Sequence, residues 1–257
     1  MIFVLLCLLG CGEDDNYKEP DAEICGTFID LTTQQPVQMA VQGNAGTSVK
    51  IRMYEQDRFY STGLDHSTTP IDFYANQDGS YRNCWIFSSN YLMTFENINF
   101  YPVDTIKNIR LKGKIRKDIL VTPYSRINAC VIEADTNQVV VKYVISRDRD
   151  DYKIQATELY WNVSPYIDNN VSNYKGKVIT SRTEILDEDL LNVEVTEIID
   201  LSTDKQFKLI DIVNYPGAYI NRAIIRGNKD RIYVRVGVKT NDTFNFSETM
   251  PVTLSFD

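Results

Sequence analysis

Few side chains in this sequence could act as a catalytic base or nucleophile. The chain of 257 residues contains one histidine, His66, in the segment Gly63–Thr68. A Ser-His-Asp triad or a Cys-His pair would have to use this residue, and no Gly-x-Ser-x-Gly segment is present. A single histidine also excludes zinc sites built from several histidines. We therefore expect His66 to be an ordinary loop residue.

Two runs of acidic residues could hydrolyse a glycosidic bond, and the first of them could also bind a calcium ion. They are Asp148, Asp150 and Asp151, and Asp187, Glu188 and Asp189. Paired carboxylates catalyse most glycoside hydrolysis, and clustered carboxylate oxygens bind calcium. Arginines alternate with the acidic residues of the first run, however, and this pattern is typical of a solvated loop. We expect no catalytic residue, metal or cofactor, and keep a glycoside hydrolase as the least favoured alternative.

Aromatic side chains are the remaining chemical feature. The chain has 16 Tyr, 11 Phe and 2 Trp, and an aromatic face can stack on the apolar face of a sugar ring. The candidate glycan-binding residues are Tyr160, Trp161, Tyr166 and Trp85. The alternative for Trp161 is the inter-sheet core, where β-sandwiches commonly bury a tryptophan.

An apolar run at the beginning of the chain ends in a cysteine. Ile2–Leu9 is followed by Gly10, Cys11 and then acidic residues. This order resembles a bacterial lipobox, in which the cysteine is acylated and residues 1–10 are removed as a signal peptide. The run is too short to span a bilayer, which takes about 20 residues. Because no basic residue precedes Ile2, either the true start lies upstream or the chain is truncated. An ordinary signal peptide, with Cys11 an unmodified thiol, is the alternative.

The acidic residues directly after Cys11 resemble the signal that sends Bacteroidetes lipoproteins to the outer face of the outer membrane. That resemblance implies a lipid-anchored protein that faces the cell exterior. Acyl chains anchor a protein stably when two or more are attached.

Three further cysteines, Cys25, Cys84 and Cys130, lack Cys-x-x-Cys spacing. They predict neither a disulfide framework nor a zinc site. At most one bridge could form, with Cys25 and Cys84 as the pair. We expect all three instead to be small buried side chains.

The composition is that of a folded, acidic chain. Hydrophobic residues make up 43% of the sequence and charged residues 24%, unlike a disordered chain. The formal net charge is −8 at pH 7, whereas nucleic-acid binding needs a basic surface that neutralises phosphates. We therefore exclude nucleic acid as a partner.

Short apolar alternations separated by turn residues run from Ile24 onward and predict an all-β fold. Asn76–Tyr81 contains an Asp-Gly pair, which favours a β-hairpin turn. Thr183–Val193 comes nearest to helical periodicity and could form one short helix or turn. The predicted strands are Gly26–Asp30, Val49–Tyr54, Arg82–Phe87, Tyr91–Phe95, Val139–Ser146, Ile154–Trp161, Lys177–Thr183, Phe207–Val213, Arg231–Lys239 and Pro251–Phe256.

Pro123 disfavours continuation of the strand before it and marks a domain boundary. Residues 11–20 are polar and acidic and form a tether. The prediction is then two β-sandwiches in series, over residues 21–121 and 122–257.

The elements Gly26–Asp30, Asp78–Tyr81 and Tyr91 follow each other in an order that resembles the transthyretin-like, or carboxypeptidase-regulatory-like, β-sandwich. In the second domain, Tyr233-x-Arg235-x-Gly237 resembles the last strands of a fibronectin type III or immunoglobulin-like sandwich. Alternation places Ile232, Val234, Val236 and Val238 on one face of that strand, with Tyr233, Arg235 and Lys239 on the other.

The whole order of lipobox, tether and two sandwiches resembles a Bacteroidetes family of two-domain lipoproteins of unknown function. Members are often encoded beside starch-utilisation-type outer-membrane transporters. The resemblance implies a non-enzymatic accessory role in polysaccharide capture, with a glycan and a transporter complex as partners. A structural spacer or an adhesin that binds a protein is the alternative.

Overall fold

A computed structural model describes residues 18–42, 48–57, 63–170, 180–183, 190–201 and 222–255. These residues form two β-sandwich domains in series, which confirms the predicted all-β fold class. Cys11 and the predicted signal peptide lie outside the described residues, as do the predicted strand Phe207–Val213 and most of the helix candidate Thr183–Val193.

The described strands are β1 (Ala22–Asp30), β2 (Lys50–Glu55), β3 (Ile71–Tyr74), β4 (Ser80–Ile86), β5 (Ser89–Glu96), β6 (Ile106–Leu111), β7 (Gly113–Arg116), β8 (Ile119–Val121), β9 (Arg126–Ala134), β10 (Gln138–Ser146), β11 (Ile154–Asn162), β12 (Thr180–Thr183), β13 (Glu194–Asp200), β14 (Arg231–Thr240), β15 (Thr243–Phe246) and β16 (Met250–Thr253). One described helix, α1, spans Arg222–Gly227. No helix among the described residues has the length and hydropathy needed to cross a bilayer.

The first domain packs two sheets face to face. One has the order β4-β1-β7, with β8 also on β1, and the other has the order β3-β2-β5-β6. Side chains of β1 alternate strictly between buried and half-buried positions, as a strand over one core requires. The core contains an aromatic cluster in which the ring of Phe28 lies 5.4–5.6 Å from the rings of Tyr81, Phe95 and Phe100.

Gly26 lies where β1 passes from its pairing with β7 to its pairing with β8. A Cβ atom at this position would sit 2.0 Å from the backbone oxygen of Lys117. The Tyr81 hydroxyl donates a hydrogen bond to the same oxygen. Glycine is therefore required by close backbone approach, a recurrent reason for glycine within a strand.

The second domain packs the sheet β13-β10-β9 against the sheet β12-β11-β14-β15, with β16 paired to β14. The predicted inward face of β14 is confirmed, because Ile232, Val234, Val236 and Val238 are each at most 1% exposed. Trp161 packs into this core.

The opposite face of β14 is also covered. Arg235, on the face predicted to lie away from the core, is fully buried because the first domain packs against it. Gly237 leaves room for the ring of Tyr160, which would lie 2.7 Å from a Cβ atom there. The sheet β11-β14 is therefore sandwiched between its own core and the neighbouring domain.

The structure corrects two local predictions in the first domain. The Asp78-Gly79 turn joins β3 to β4, which belong to different sheets, so it is a crossover and not a hairpin. Cys84 is exposed instead of buried, because a bulge places Cys84 and Trp85 opposite Glu23 alone and turns both outward.

The structure also differs from the sequence predictions in two cysteines and in several strands. Cys130 is exposed and Cys25 half-buried, and all three described cysteines are free, so the bridge between Cys25 and Cys84 is absent. The strands β3, β6, β7, β9, β13 and β15 are not among those predicted. β9 carries small and polar side chains at Asn128 and Ala129 that weaken its hydrophobic alternation.

Arg235 ties the two domains together. Its guanidinium donates to three backbone oxygens, those of Met39 at 2.9 Å, Ile167 at 2.7 Å and Ser247 at 2.9 Å. Its Cζ also lies 4.4 Å from the ring centroid of Phe246. Burial lowers the pKa of Arg235 to about 9, with Asp168 and Tyr160 acting in the opposite direction. The side chain is therefore a protonated donor at neutral pH.

A buried polar chain continues the interface. The Asn245 side chain donates to the backbone oxygen of Asn99 at 2.7 Å and accepts from the backbone N–H of Ser125 at 3.1 Å. The Asp168 carboxylate, which is fully buried, accepts from the backbone N–H of Val41 at 2.9 Å. Each contact joins a segment of the first domain, or of the connection after it, to the second domain.

A second ionic contact lies between Asp30, Arg126 and Asp148. Arg126 binds both carboxylates, with one nitrogen 2.7 Å from Asp30 Oδ1 and another 2.7 Å from Asp148 Oδ1. Burial raises the pKa of Asp30, but hydrogen bonds from Arg126, Thr32 and Thr33 outweigh it and hold that pKa below its usual range. The hydrogen bond from Arg126 likewise lowers the pKa of Asp148.

The close approach at Gly26 predicts a large effect of one methyl group. Gly26→Ala should lower the free energy of unfolding by about 2–4 kcal/mol, because the backbone at Lys117 has to move. Gly227→Ala is the matched control, since a Cβ atom there meets nothing within 4 Å. Urea denaturation measures both, and equal stabilities of the two variants would contradict the packing at β1.

The carboxylate pair predicts a pH dependence. Because the pKa of Asp30 is lower in the folded than in the unfolded protein, its stabilisation is present above about pH 4 and is lost as the pH falls further. Asp30→Asn should therefore cost about 2 kcal/mol at pH 7 and clearly less at pH 3. Asp104→Asn, at an exposed position, is the control. An equal cost of Asp30→Asn at both pH values, measured by urea denaturation, would refute the assignment.

Candidate functional site

The structure places the four candidate glycan-binding residues in three different environments. Tyr160 and Trp161 are both fully buried, so neither can present a ring face to a sugar. Trp161 fills the core of the second sandwich, and Tyr160 lies in the interface with the first domain. Its hydroxyl donates a hydrogen bond to Glu158. The proposed sugar-binding roles of these two residues are therefore wrong, and the alternative core role of Trp161 is correct.

Trp85 and Tyr166 are exposed but lie apart. Trp85 is 78% exposed near the end of β4, roughly 17 Å along the strand from Ser80. Tyr166 is 62% exposed in the loop after β11. The aromatic cluster expected from the sequence is therefore reduced to one ring at a concave surface, that of Tyr166.

Tyr166 lies at a groove between the two domains, which we call the interdomain groove. Its tyrosine half has a volume of about 800 Å³ and its arginine half, which contains Arg126, about 480 Å³. Gln38 and Glu248 line both halves, so the two are adjacent. Volumes of 300–1,000 Å³ are typical of small-molecule sites. Each half is therefore large enough for a small-molecule ligand.

The tyrosine half is lined mainly by amides and carboxylates. Its lining residues are Gln38, Val41, Gln42, Asn76, Gln77, Asp78, Tyr166, Glu248 and Thr249. An amide side chain offers two donors and an acceptor, and an ionised carboxylate only accepts. These groups match hydroxyl groups, each of which both donates and accepts a hydrogen bond. One aromatic face beside many such groups suits a polyhydroxylated ring.

Gln77 holds the loop of Tyr166 in place. Its side-chain oxygen accepts from the backbone N–H of Ile167 at 2.9 Å, and its nitrogen donates to the Pro165 oxygen at 3.0 Å and to the Thr249 hydroxyl at 2.7 Å. Gln77, which belongs to the first domain, thus binds the residues on either side of Tyr166 in the second domain. The position of the exposed ring therefore depends on the interface between the domains.

The turn that carries Gln77 is itself fixed by glycine. Gly79 has a φ of 79°, and a Cβ atom there would lie 2.3 Å from the backbone oxygen of Val37. The backbone N–H of Met39 donates to the Gln77 oxygen at 2.9 Å, and that of Phe28 to the Gly79 oxygen at 2.9 Å. The turn at Asp78-Gly79 therefore packs closely against the segment after β1. That segment forms one wall of the groove.

The carboxylates of the described acidic run are each paired with an arginine. Asp148 pairs with Arg126, Asp150 with Arg147 at 3.2 Å, and Asp151 with Arg149 at 2.7 Å. Within the described part of the chain, no three His, Cys, Asp or Glu side chains are grouped so that they could hold a metal ion. The second acidic run, residues 187–189, lies outside the described residues.

His66 lies in the loop between β2 and β3. Its Nδ1 is 2.7 Å from the backbone oxygen of Ser67, and its ring packs edge-on against Tyr54 at 5.3 Å. These contacts are those expected of a loop histidine.

Sequence reasoning identifies Tyr166 but misses the polar residues of the groove. Gln38, Gln42, Gln77 and Glu248 are isolated polar residues in loops and belong to no periodic pattern. Their common location becomes visible only when the two domains are placed side by side. The Asp-Gly pair at Asp78 is the one local signal that points to this region.

Family comparisons cover nearly the whole chain. Residues 22–122 match the model of a "protein of unknown function (DUF3823) N-terminal domain", and residues 125–251 match a "domain of unknown function (DUF3823_C)". No curated protein matches the chain.

Solved structures share the fold at low sequence identity. A Bacteroides uniformis protein provisionally described as carbohydrate binding has a TM-score of 0.66 and 21% identity, over 91% of this chain and 100% of its own. A DUF3823 family protein from Bacteroides ovatus has a TM-score of 0.64 and 20% identity, over 91% and 100%. One from Parabacteroides merdae has a TM-score of 0.66 and 18% identity, over 92% and 100%.

These likenesses establish the two-domain architecture. Because both family models match, one after the other over almost the entire chain, this protein belongs to the DUF3823 family, whose function is unknown.

Proposed function

We propose that this chain is a non-enzymatic surface lipoprotein that binds glycan in the interdomain groove and assists polysaccharide capture. Tyr166 supplies the stacking face, and the amides and carboxylates around it bind sugar hydroxyls. The observation that carries the proposal is the 62% exposed ring of Tyr166 beside a groove with polar walls. Exposed aromatic rings with a polar handle suit ligands that have both an apolar and a polar face.

The similar Bacteroides uniformis protein supports the same ligand class, since its description names carbohydrate binding. The lipobox-like segment at Cys11 supports a lipid anchor, with the acidic residues after it favouring the outer face of the outer membrane. A neighbouring outer-membrane transporter complex is the partner that would receive the captured glycan.

The direction of β1 fits this arrangement. The strand begins at Ala22, next to the tether, and ends at Asp30, which lines the arginine half of the groove. Its nine residues span about 30 Å. A chain anchored at Cys11 would therefore hold the groove at the end of the first domain that faces away from the membrane.

A hydrolytic role has less support. Asp78 and Glu248 are the carboxylates of the tyrosine half, and both side chains are exposed. The general acid of a glycoside hydrolase needs an apolar environment that keeps it protonated. Asp78 also accepts hydrogen bonds from the backbone N–H and hydroxyl of Ser80, at 3.0 and 2.7 Å. We therefore assign both carboxylates to hydrogen bonding with sugar hydroxyls.

A protein-binding adhesin has one observation in its favour. Ile132 and Ile198 are each 50% exposed on the outer side of the sheet β13-β10-β9. The ion pair of Lys142 with Glu194, at 2.6 Å, lies on the same sheet. Exposed apolar residues that are interrupted by charges make a poorer docking patch than a continuous apolar surface.

Affinity electrophoresis through neutral and acidic polysaccharides tests the proposal, with residues 12–257 as the protein. Tyr166→Ala should weaken the retardation at least about tenfold, because a central aromatic contact contributes more than about 1.4 kcal/mol. Trp85→Ala is the matched control, as an exposed aromatic outside the groove, and should bind as the parent does.

Circular dichroism establishes that each variant is folded. Retardation of the parent by no polysaccharide would contradict glycan binding. Undiminished retardation of folded Tyr166→Ala would place the site elsewhere.

A further inference from the structure

We infer that the interdomain groove selects glycans without acidic groups, excluding uronate-bearing and sulfated chains. This inference rests on the proposed function and deepens it by naming the ligand class. It follows from the sign and the pairing of the charged side chains that line the groove.

The free charges of the groove are negative. Asp78 and Glu248 line its tyrosine half, and no described lysine or arginine lines that half. Both carboxylates are exposed, so each faces the space that a ligand would occupy. An anionic group brought close to an ionised carboxylate is repelled, and the repulsion grows as the ligand displaces water. A hydroxyl in the same place would instead donate a hydrogen bond.

The one cation that lines the described groove, Arg126, is already committed. It donates to both oxygens of Asp30 and both oxygens of Asp148, and its side chain is only 16% exposed. Recognition of a carboxylate or sulfate typically uses an arginine whose planar fork is free to bind both oxygens. Arg126 could bind an anionic sugar only if it lost its ion pair with Asp30 in the other domain.

The groove nevertheless keeps many neutral hydrogen-bonding groups. Gln35, Gln38 and Asn128 line the arginine half, and Gln42 and Asn76 line the tyrosine half, where the amide of Gln77 is already bound to the loop of Tyr166. Amides bind hydroxyl groups of either orientation at no electrostatic cost. The arrangement therefore suits a chain of neutral hexoses or pentoses.

Matched ligands provide the test, again with residues 12–257 in affinity electrophoresis. Amylopectin, galactomannan and xyloglucan are the neutral probes, and polygalacturonan, alginate and chondroitin sulfate are the acidic ones. The neutral polysaccharide that retards the protein most is then oxidised at its C6 hydroxyls to carboxylates. We expect the oxidised form to bind at least tenfold more weakly at low salt, with part of the loss recovered at high salt.

The variant Glu248→Gln shows whether the oxidised polysaccharide binds weakly because a carboxylate repels it or because it has lost C6 hydroxyl groups. The ratio of neutral to oxidised binding should fall at least threefold in this variant and stay unchanged in Glu194→Gln, which removes a carboxylate on the distant sheet. A ratio that is the same in Glu248→Gln and insensitive to salt would overturn the inference.

The outcomes distinguish a failure of the selectivity from a failure of glycan binding itself. Preferred binding of an acidic polysaccharide, lost in Tyr166→Ala, would overturn the selectivity while leaving glycan binding in place. Retardation by none of the six polysaccharides would overturn the proposed function and the selectivity with it.

Discussion

The interface between the domains depends on one buried charge. Arg235 projects from the outer face of β14 and is fully buried, so its guanidinium must find oxygen partners within the protein. It finds them in three separate segments, at Met39, Ile167 and Ser247. A buried charge adds little net stability, but it penalises every arrangement in which its partners are missing. We therefore regard Arg235 as the residue that specifies how the two sandwiches sit against each other.

The groove is a consequence of that arrangement. Met39 and Ile167, which share the Arg235 guanidinium, are neighbours in sequence of Gln38 and Tyr166, which line the groove. Gln77 forms a second connection between the domains, because it binds the loop around Tyr166. Neither domain alone contains the site, because its polar wall comes mostly from the first domain and its aromatic ring from the second. Pairs of domains joined more loosely than this are expected to move relative to one another.

The sequence predicts the fold better than the site. Alternation in β1 and β14 predicts strands over a core, whereas the close backbone approaches at Gly26 and Gly79 become visible only in the structure. Alternation says which residues share a face but not what covers that face, so Tyr160 and Arg235 appear as surface residues when the neighbouring domain buries them. The bulge that exposes Trp85 together with Cys84 breaks the alternation altogether. Groove residues such as Gln38 and Glu248 meet only through tertiary packing, which no local pattern encodes.

Differential scanning calorimetry of residues 12–257 and of Arg235→Met tests most directly whether the buried arginine makes the two domains one unit. We expect a single transition for the parent, with equal calorimetric and van't Hoff enthalpies. Arg235→Met should leave three buried carbonyls without their donor and separate the melting into two transitions, whereas Arg231→Ala, at the exposed start of the same strand, should not. Two transitions already in the parent, or a single unshifted one in Arg235→Met, would contradict the claim that Arg235 holds the groove together.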